Sequence, residues 1–138
     1  MTTPQDLGFE VTLNLPFDPA IARVSEALKA EGFGVLTRID VHTTLKEKIG
    51  ATFRPYAILG VCNPPIAHRA LEHDARVGLL LPCNVTVEET APGRSIARIG
   101  DPRTMMAVGG MEQDAVMRGI ADEARARLLS AVRALGRA

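Results

Sequence analysis

A chain of 138 residues, 46% apolar and 23% charged, has the make-up of an ordinary globular protein, long enough to bury a core without disulfides or a structural metal. Sixteen basic residues balance sixteen acidic ones with no Lys/Arg block, and one tyrosine with no tryptophan makes no platform for stacking bases, so nucleic acid is not an expected partner. The longest apolar stretch, near residues 77–87, is short and broken by Pro82, so no membrane span is expected; the opening MTTPQDLGFE lacks the basic-then-apolar pattern of a leader, which points to a cytoplasmic protein. In a reducing compartment the only two cysteines, Cys62 and Cys83, are expected to be free thiols.

Gly8 to Leu15 alternates Phe9, Val11, Leu13 and Leu15 with Glu10, Thr12 and Asn14, the period of a strand with one buried face. PFDPAIARVSEALKAEG then reads as a helix, with Asp18 placed to cap it, Pro19 at its first position, Ile21, Val24 and Leu28 on its stripe, and Gly32 as its stop. Period two returns at Phe33 and runs through Val35, Thr37, Ile39 and Val41 to a strand end near His42. A short helical turn, Thr44 to Gly50, follows. Arg54 to Cys62 is apolar almost throughout and predicts a buried third strand. Asn63 and two prolines then open a helix through Ile66, Ala67, Ala70 and Leu71. A long fourth strand, Gly78 to Glu89, turns at Pro92-Gly93 into a fifth, Ser95 to Ile99. Beyond Asp101-Pro102, a methionine-bearing segment and Gly109-Gly110, a last helix runs from about Glu112 to Leu135. Its inward stripe is Val116, Ile120, Ala124, Leu128, Ala131 and Leu135, with Asp114–Arg118 and Glu123–Arg127 as i,i+4 pairs facing water.

The order β-α-β-β-α-β-β-α, without repeats or a dividing linker, predicts a single α+β domain over residues 1–138. An antiparallel-rich sheet of about five strands with helices on one face, split-βαβ-like with an added hairpin strand, satisfies the handedness of crossovers. Pro82 inside the fourth strand predicts an edge position or a bulge, because proline donates no ladder hydrogen bond.

At this level the run from Gly32 to Glu89 is similar throughout to the family called domain of unknown function 302. Its LKEK, Y.ILG.CNP, A..AL and GLLLPCNV phrases, and a later DP at Asp101-Pro102, come in that family's order and spacing over roughly Gly8 to Met106. The resemblance implies a small α+β protein of a kind common in bacteria and archaea, and a homodimer. It implies no agreed activity, substrate or cofactor. His42 departs from the family pattern, so the resemblance lends it no role.

The residues themselves offer a few candidates for chemistry. Cys62 ends a predicted strand just before a helix amino end, where unpaired N–H groups favour a thiolate; the alternative is a small buried residue at a tight junction with Asn63 capping the helix. Cys83 sits in an apolar run and reads as inert core, while alternation sends Asn84 to the opposite face. His68 and His73 are five apart, about 140° around a helix, and do not make a metal pair; both are expected to be solvated. Cys62, Cys83 and Met105 or Met106 would suit a soft ion or a haem iron, but without C-x-x-C spacing. No G-x-S-x-G, Walker or H-E-x-x-H motif is present, so no catalytic residue is assigned and catalysis is left open. Asp40 and His42 would share a strand face as an acid–base pair, or simply as a solvated strand end. Arg54 and Arg103 lie near the cysteine-bearing elements and would hold an anion.

The favoured reading is a binding protein for a small ligand in a cleft lined by the two Cys-Asn segments, with Cys62, Asn63, Cys83, Asn84, Arg54 and Asp101 as its residues. A thiol or soft-metal protein using Cys62 and Cys83, and an interaction module without pocket chemistry, are the alternatives. No metal ligand set is assigned, and any cofactor is left unnamed.

Overall fold

The computed structural model describes residues 7–136. Its strands are β1 (Gly8–Leu13), β2 (Gly34–Asp40), β3 (Tyr56–Cys62), β4 (Cys83–Ala91) and β5 (Arg94–Gly100). They form one antiparallel sheet in the order β1-β5-β4-β3-β2. The helices are α1 (Phe17–Ala30), α2 (Val41–Ile49), α3 (Pro64–His73), α4 (Pro102–Val108) and α5 (Ala115–Gly136), with 3₁₀ turns at Ala75–Leu80 and Met111–Gln113. This is the α+β architecture expected from the sequence. β1 and β2 occupy opposite edges, so the β1–α1–β2 unit is split by three strands, and β2 to β5 run as a meander.

Strand alternation builds the core. Phe9 and Val11 of β1, Leu59 and Val61 of β3, Val85 and Val87 of β4, and Ala97 and Ile99 of β5 all point to one face. Against it pack Ala20, Val24 and Leu28 of α1, Ile66 and Ala70 of α3, and Met117, Ala124, Leu128 and Leu135 of α5. α2 buries none of its residues and sits where β2 and β3 meet. Among the described residues, the other face of the sheet contributes nothing to this hydrophobic core.

Several local expectations are corrected. α1 begins at Phe17, so Asp18 lies in its first turn and Pro19 is its third residue; neither caps it. The orphaned N–H of Phe17 donates instead to Oε1 of Glu89, 2.8 Å away on β4, while Asp18 reaches Arg38 at 3.4 Å. β2 ends at Asp40, and Val41 and His42 already belong to α2, so Asp40 and His42 share no strand face. Asp40 pairs with Arg38, and His42 Nδ1 accepts the N–H of Tyr56 at 3.0 Å. The half-buried face read for this strand is also absent: β2 is an edge strand, touched by α1 and α2 but exposed along nearly its whole length.

The largest change is at Gly78 to Pro82. These residues are not strand; the 3₁₀ turn ends at Leu80, the Leu81–Pro82 peptide is cis, and β4 starts at Cys83. Pro82 therefore stands outside the ladder, and β4 is an inner strand between β5 and β3 rather than an edge. Gly60 of β3 lets Pro82 approach, since a Cβ there would lie 2.8 Å from Pro82 Cγ and 2.3 Å from Thr37 Oγ1. The Pro92-Gly93 turn is as expected, with Gly93 at φ 75°.

The methionine-bearing segment forms α4. The last helix starts at Ala115, where Asp114 caps it by accepting the N–H groups of Val116 at 2.9 Å and Met117 at 3.2 Å. That start leaves Val116 outside and Met117 inside. Asp114 pairs with His73 at 2.8 Å rather than with Arg118, whose Nη1 donates to the Glu112 carbonyl. His73, paired with Asp114, and His68, beside Glu72, are both exposed, as expected. Glu123 does meet Arg127, at 3.9 Å.

Candidate ligand-binding site

The sequence candidates fall on two sides of the sheet. On the helix side, Cys62 and Cys83 are free, half-buried and border one small apolar hollow of about 50 Å³, closed by Val61, Ile66 and Met106. Burial, and then the neighbouring Cys62, pushes the Cys83 thiol above its ordinary value. Asn63 borders the same hollow, but its polar atoms are committed to the chain: Oδ1 accepts from the Ile66 N–H at 3.3 Å, capping α3, and Nδ2 donates to the Glu31 carbonyl at 3.4 Å. Asp101 caps α4 through the Arg103 N–H at 2.9 Å and takes Arg125 Nε at 3.1 Å. Arg103 holds Asp122, and Arg54 lies over the Phe53 ring, 4.4 Å from its centroid, while donating to Glu88. Met105 lies outside the cysteine hollow and Met106 inside it. Among the described residues no three His, Cys, Asp or Glu side chains come together to hold a metal ion.

Asn84 is on the other side, where the sheet face is open. Register explains what gathers there. Glu10 is opposite Arg98, Arg98 opposite Thr86, and Thr86 opposite Ile58, so these four cross β1, β5, β4 and β3 as one row. A neighbouring row joins Gly8 to Gly100 and Asn84 to Gly60, and a third joins Tyr56 to Glu88. With glycines beside Asn84, the middle of the face is a trough rather than a bed of side chains. A hollow of about 550 Å³ lies there, walled by Glu10, Tyr56, Asn84, Thr86, Arg98 and Met105.

Two features of this face are chemically specific. First, the hydroxyl of Thr86 is buried in the floor and has no hydrogen-bond partner among the described residues. Second, Glu88, with its side chain only 4% exposed, is gripped by Arg54 and Arg98, and Arg98 also donates to Glu10 at 2.7 Å. Burial alone would push the Glu88 carboxyl up; the two guanidiniums outweigh it and hold the carboxyl below its ordinary 4.5. Glu88 in turn raises Arg98. Two carboxylates and two guanidiniums thus neutralise one another beside the trough.

A further hollow of about 310 Å³ opens at the end of the sheet, between the segment from Leu79 to Cys83 and Met105 and Met106 of α4. Asn84, Gly100 and Met105 border both hollows, so the two meet at that point. Of the candidate residues singled out in the sequence, Asn84 and Met105 line the larger hollow, and Cys83, Asn84, Met105 and Met106 line the smaller. Glu10, Tyr56, Thr86, Arg98 and Gly100 were not singled out. Their signal was the polar half of the strand alternation, which reads as a solvated face until the strand order brings its members together.

The family model for "Domain of unknown function DUF302" matches residues 9–135. A crystal structure of an uncharacterized conserved DUF302 protein from Bacillus stearothermophilus is 33% identical in sequence, with a TM-score of 0.81 over 94% of this chain and 98% of that one. The search of curated proteins gives no match. No described helix is long and apolar enough to cross a membrane.

Proposed function

The chain belongs to the DUF302 family, and from that premise we propose that it is a small-molecule binding protein whose ligand lies on the open sheet face over Asn84 and Thr86. The observation that carries this reading is the Thr86 hydroxyl, which is shut away from water yet lacks a partner among the described residues. A buried polar atom left unpaired costs about 1–3 kcal/mol, a cost that a bound hydrogen-bonding group removes. A mostly apolar concavity with a few polar groups is the usual form of such a site. Of the two Cys-Asn segments, the second contributes directly through Asn84, while Cys62 and Asn63 serve the strand-to-helix junction behind it.

A small-fragment screen by amide NMR tests the reading. Binders should shift Thr86, Asn84 and Arg98 together, and Thr86→Val should weaken them by roughly fivefold or more. The same variant should melt no lower than the parent, because it deletes an unpaired hydroxyl. Fragments that cluster elsewhere, or a Thr86→Val protein that binds as well as the parent, would defeat the proposal.

The homodimer has its own support. β2 is an edge strand whose Leu36 and Ile39 are 65% and 50% exposed, and a second copy pairing along it would cover them. Light scattering should give twice the chain mass at micromolar concentration and a monomer for Leu36→Lys.

A further inference from the structure

We infer that the ligand is an elongated, uncharged amphiphile, with a neutral hydrogen-bonding head over Thr86 and Asn84 and an apolar tail running past Gly100 into the hollow between Leu79 and α4. The inference rests on the reading of the open face as a ligand site, and it names the chemical class that site takes.

Charge decides the head. Arg54 and Arg98 are balanced by Glu88 and Glu10, so the cluster beside the trough carries no net charge to attract an ionic head. A charged head of either sign would add an uncompensated charge to this neutral cluster. A charge left partly desolvated without a counter-charge is costly. The neutral polar groups lining the trough are the Thr86 hydroxyl, able to donate and accept, the exposed Asn84 amide and Tyr56. A hydroxyl or an amide complements them.

The path decides the tail. The two hollows share Asn84, Gly100 and Met105, and the smaller continues between Leu81, Pro82 and Met106, all apolar. At the junction Gly100 presents no side chain; a Cβ built there would meet only the Asn84 carbonyl, at 3.4 Å, so the backbone leaves the passage clear. Leu79, 90% exposed on the far lip, is an apolar side chain left almost wholly uncovered by the described residues. Hydrocarbon laid along this route removes apolar surface from water on both sides.

The test is an amide NMR titration of the full chain with 1-octanol, octanoate and 1-butanol at neutral pH. 1-Octanol should shift Thr86, Asn84, Gly100 and Leu79 together and bind at least tenfold more tightly than either octanoate or 1-butanol. Gly100→Leu should reduce octanol to the level of butanol while leaving the butanol shifts at Thr86 in place; should that variant not fold, Met105→Trp narrows the same passage. Octanoate binding as tightly as octanol, or octanol binding no better than butanol, overturns the inference while shifts at Thr86 keep the open-face site intact. An absence of shifts at Thr86 and Asn84 with every probe overturns both.

Discussion

Glu88→Gln keeps the shape of a buried side chain and removes the charge around which Arg54 and Arg98 are arranged. Hydrogen bonds to a charged group contribute about 1.5–3 kcal/mol each when well buried, and an exposed ion pair about 0–1 kcal/mol. Glu88 is 4% exposed, but its partners are 49% and 41% exposed and regain water when released, so the loss falls between those limits. We expect about 2 kcal/mol at neutral pH. The pH dependence carries a sign. The folded carboxyl is held below its ordinary 4.5 by the guanidiniums, so its contribution is complete above that value and is lost as pH falls through the lower folded value. Urea midpoints of the parent should therefore fall on acidification below 4.5, those of Glu88→Gln should fall less, and the two should converge. Urea titrations followed by circular dichroism from neutral to acidic pH measure the gap directly. A gap that stays constant with pH, or none at neutral pH, would refute the reading of Glu88 as a carboxylate held by two arginines.

Other outcomes follow from packing and access. Gly60→Ala places a methyl against Thr37 and Pro82 and should cost about 1–3 kcal/mol, read as a lowered melting temperature; an unchanged melt would mean that Pro82 gives way freely. A chain ending at Gly110 loses every buried contact of α5 and should show no cooperative melting transition, whereas a sharp transition at the parental temperature would make α5 peripheral. Native alkylation mapped by peptide mass should label Cys62 before Cys83. Labelling of Cys83 should still be rising with pH above its ordinary value of 9.0, because burial favours the protonated thiol; equal rates near neutrality would contradict this.

Features carried by short-range pattern were legible in the sequence. The β1 alternation, Asn63 before two prolines, the Pro92-Gly93 turn and most of the α5 stripe need only neighbours within a few residues. The failures lie where distant residues decide. Asp18 had the chemistry of a cap, but Glu89, 72 residues away, supplies it. Leu79 to Pro82 has the apolar run of a strand, yet the chain uses it as a 3₁₀ turn and a cis-proline corner packed over Gly60. The candidate site was half visible for the same reason. Asn84 declared itself as a polar residue in an apolar run, whereas Glu10, Thr86 and Arg98 become neighbours only because β5 lies between β1 and β4, which no periodicity reports.

The placement of β1 at one edge also bears on the order in which the chain assembles. β2 to β5 pair with sequence neighbours, so the meander closes connections far shorter than the one between β1 and β5. β1 pairs with β5 alone, and Glu10 meets Arg98 across 88 residues of chain. During synthesis this strand emerges early and finds its partner late, carrying Phe9, Val11 and Leu13 uncovered in the meantime. Glu10 and Thr12, interleaved with those three, keep the waiting segment from being a continuous apolar strand and so guard it against pairing with another copy.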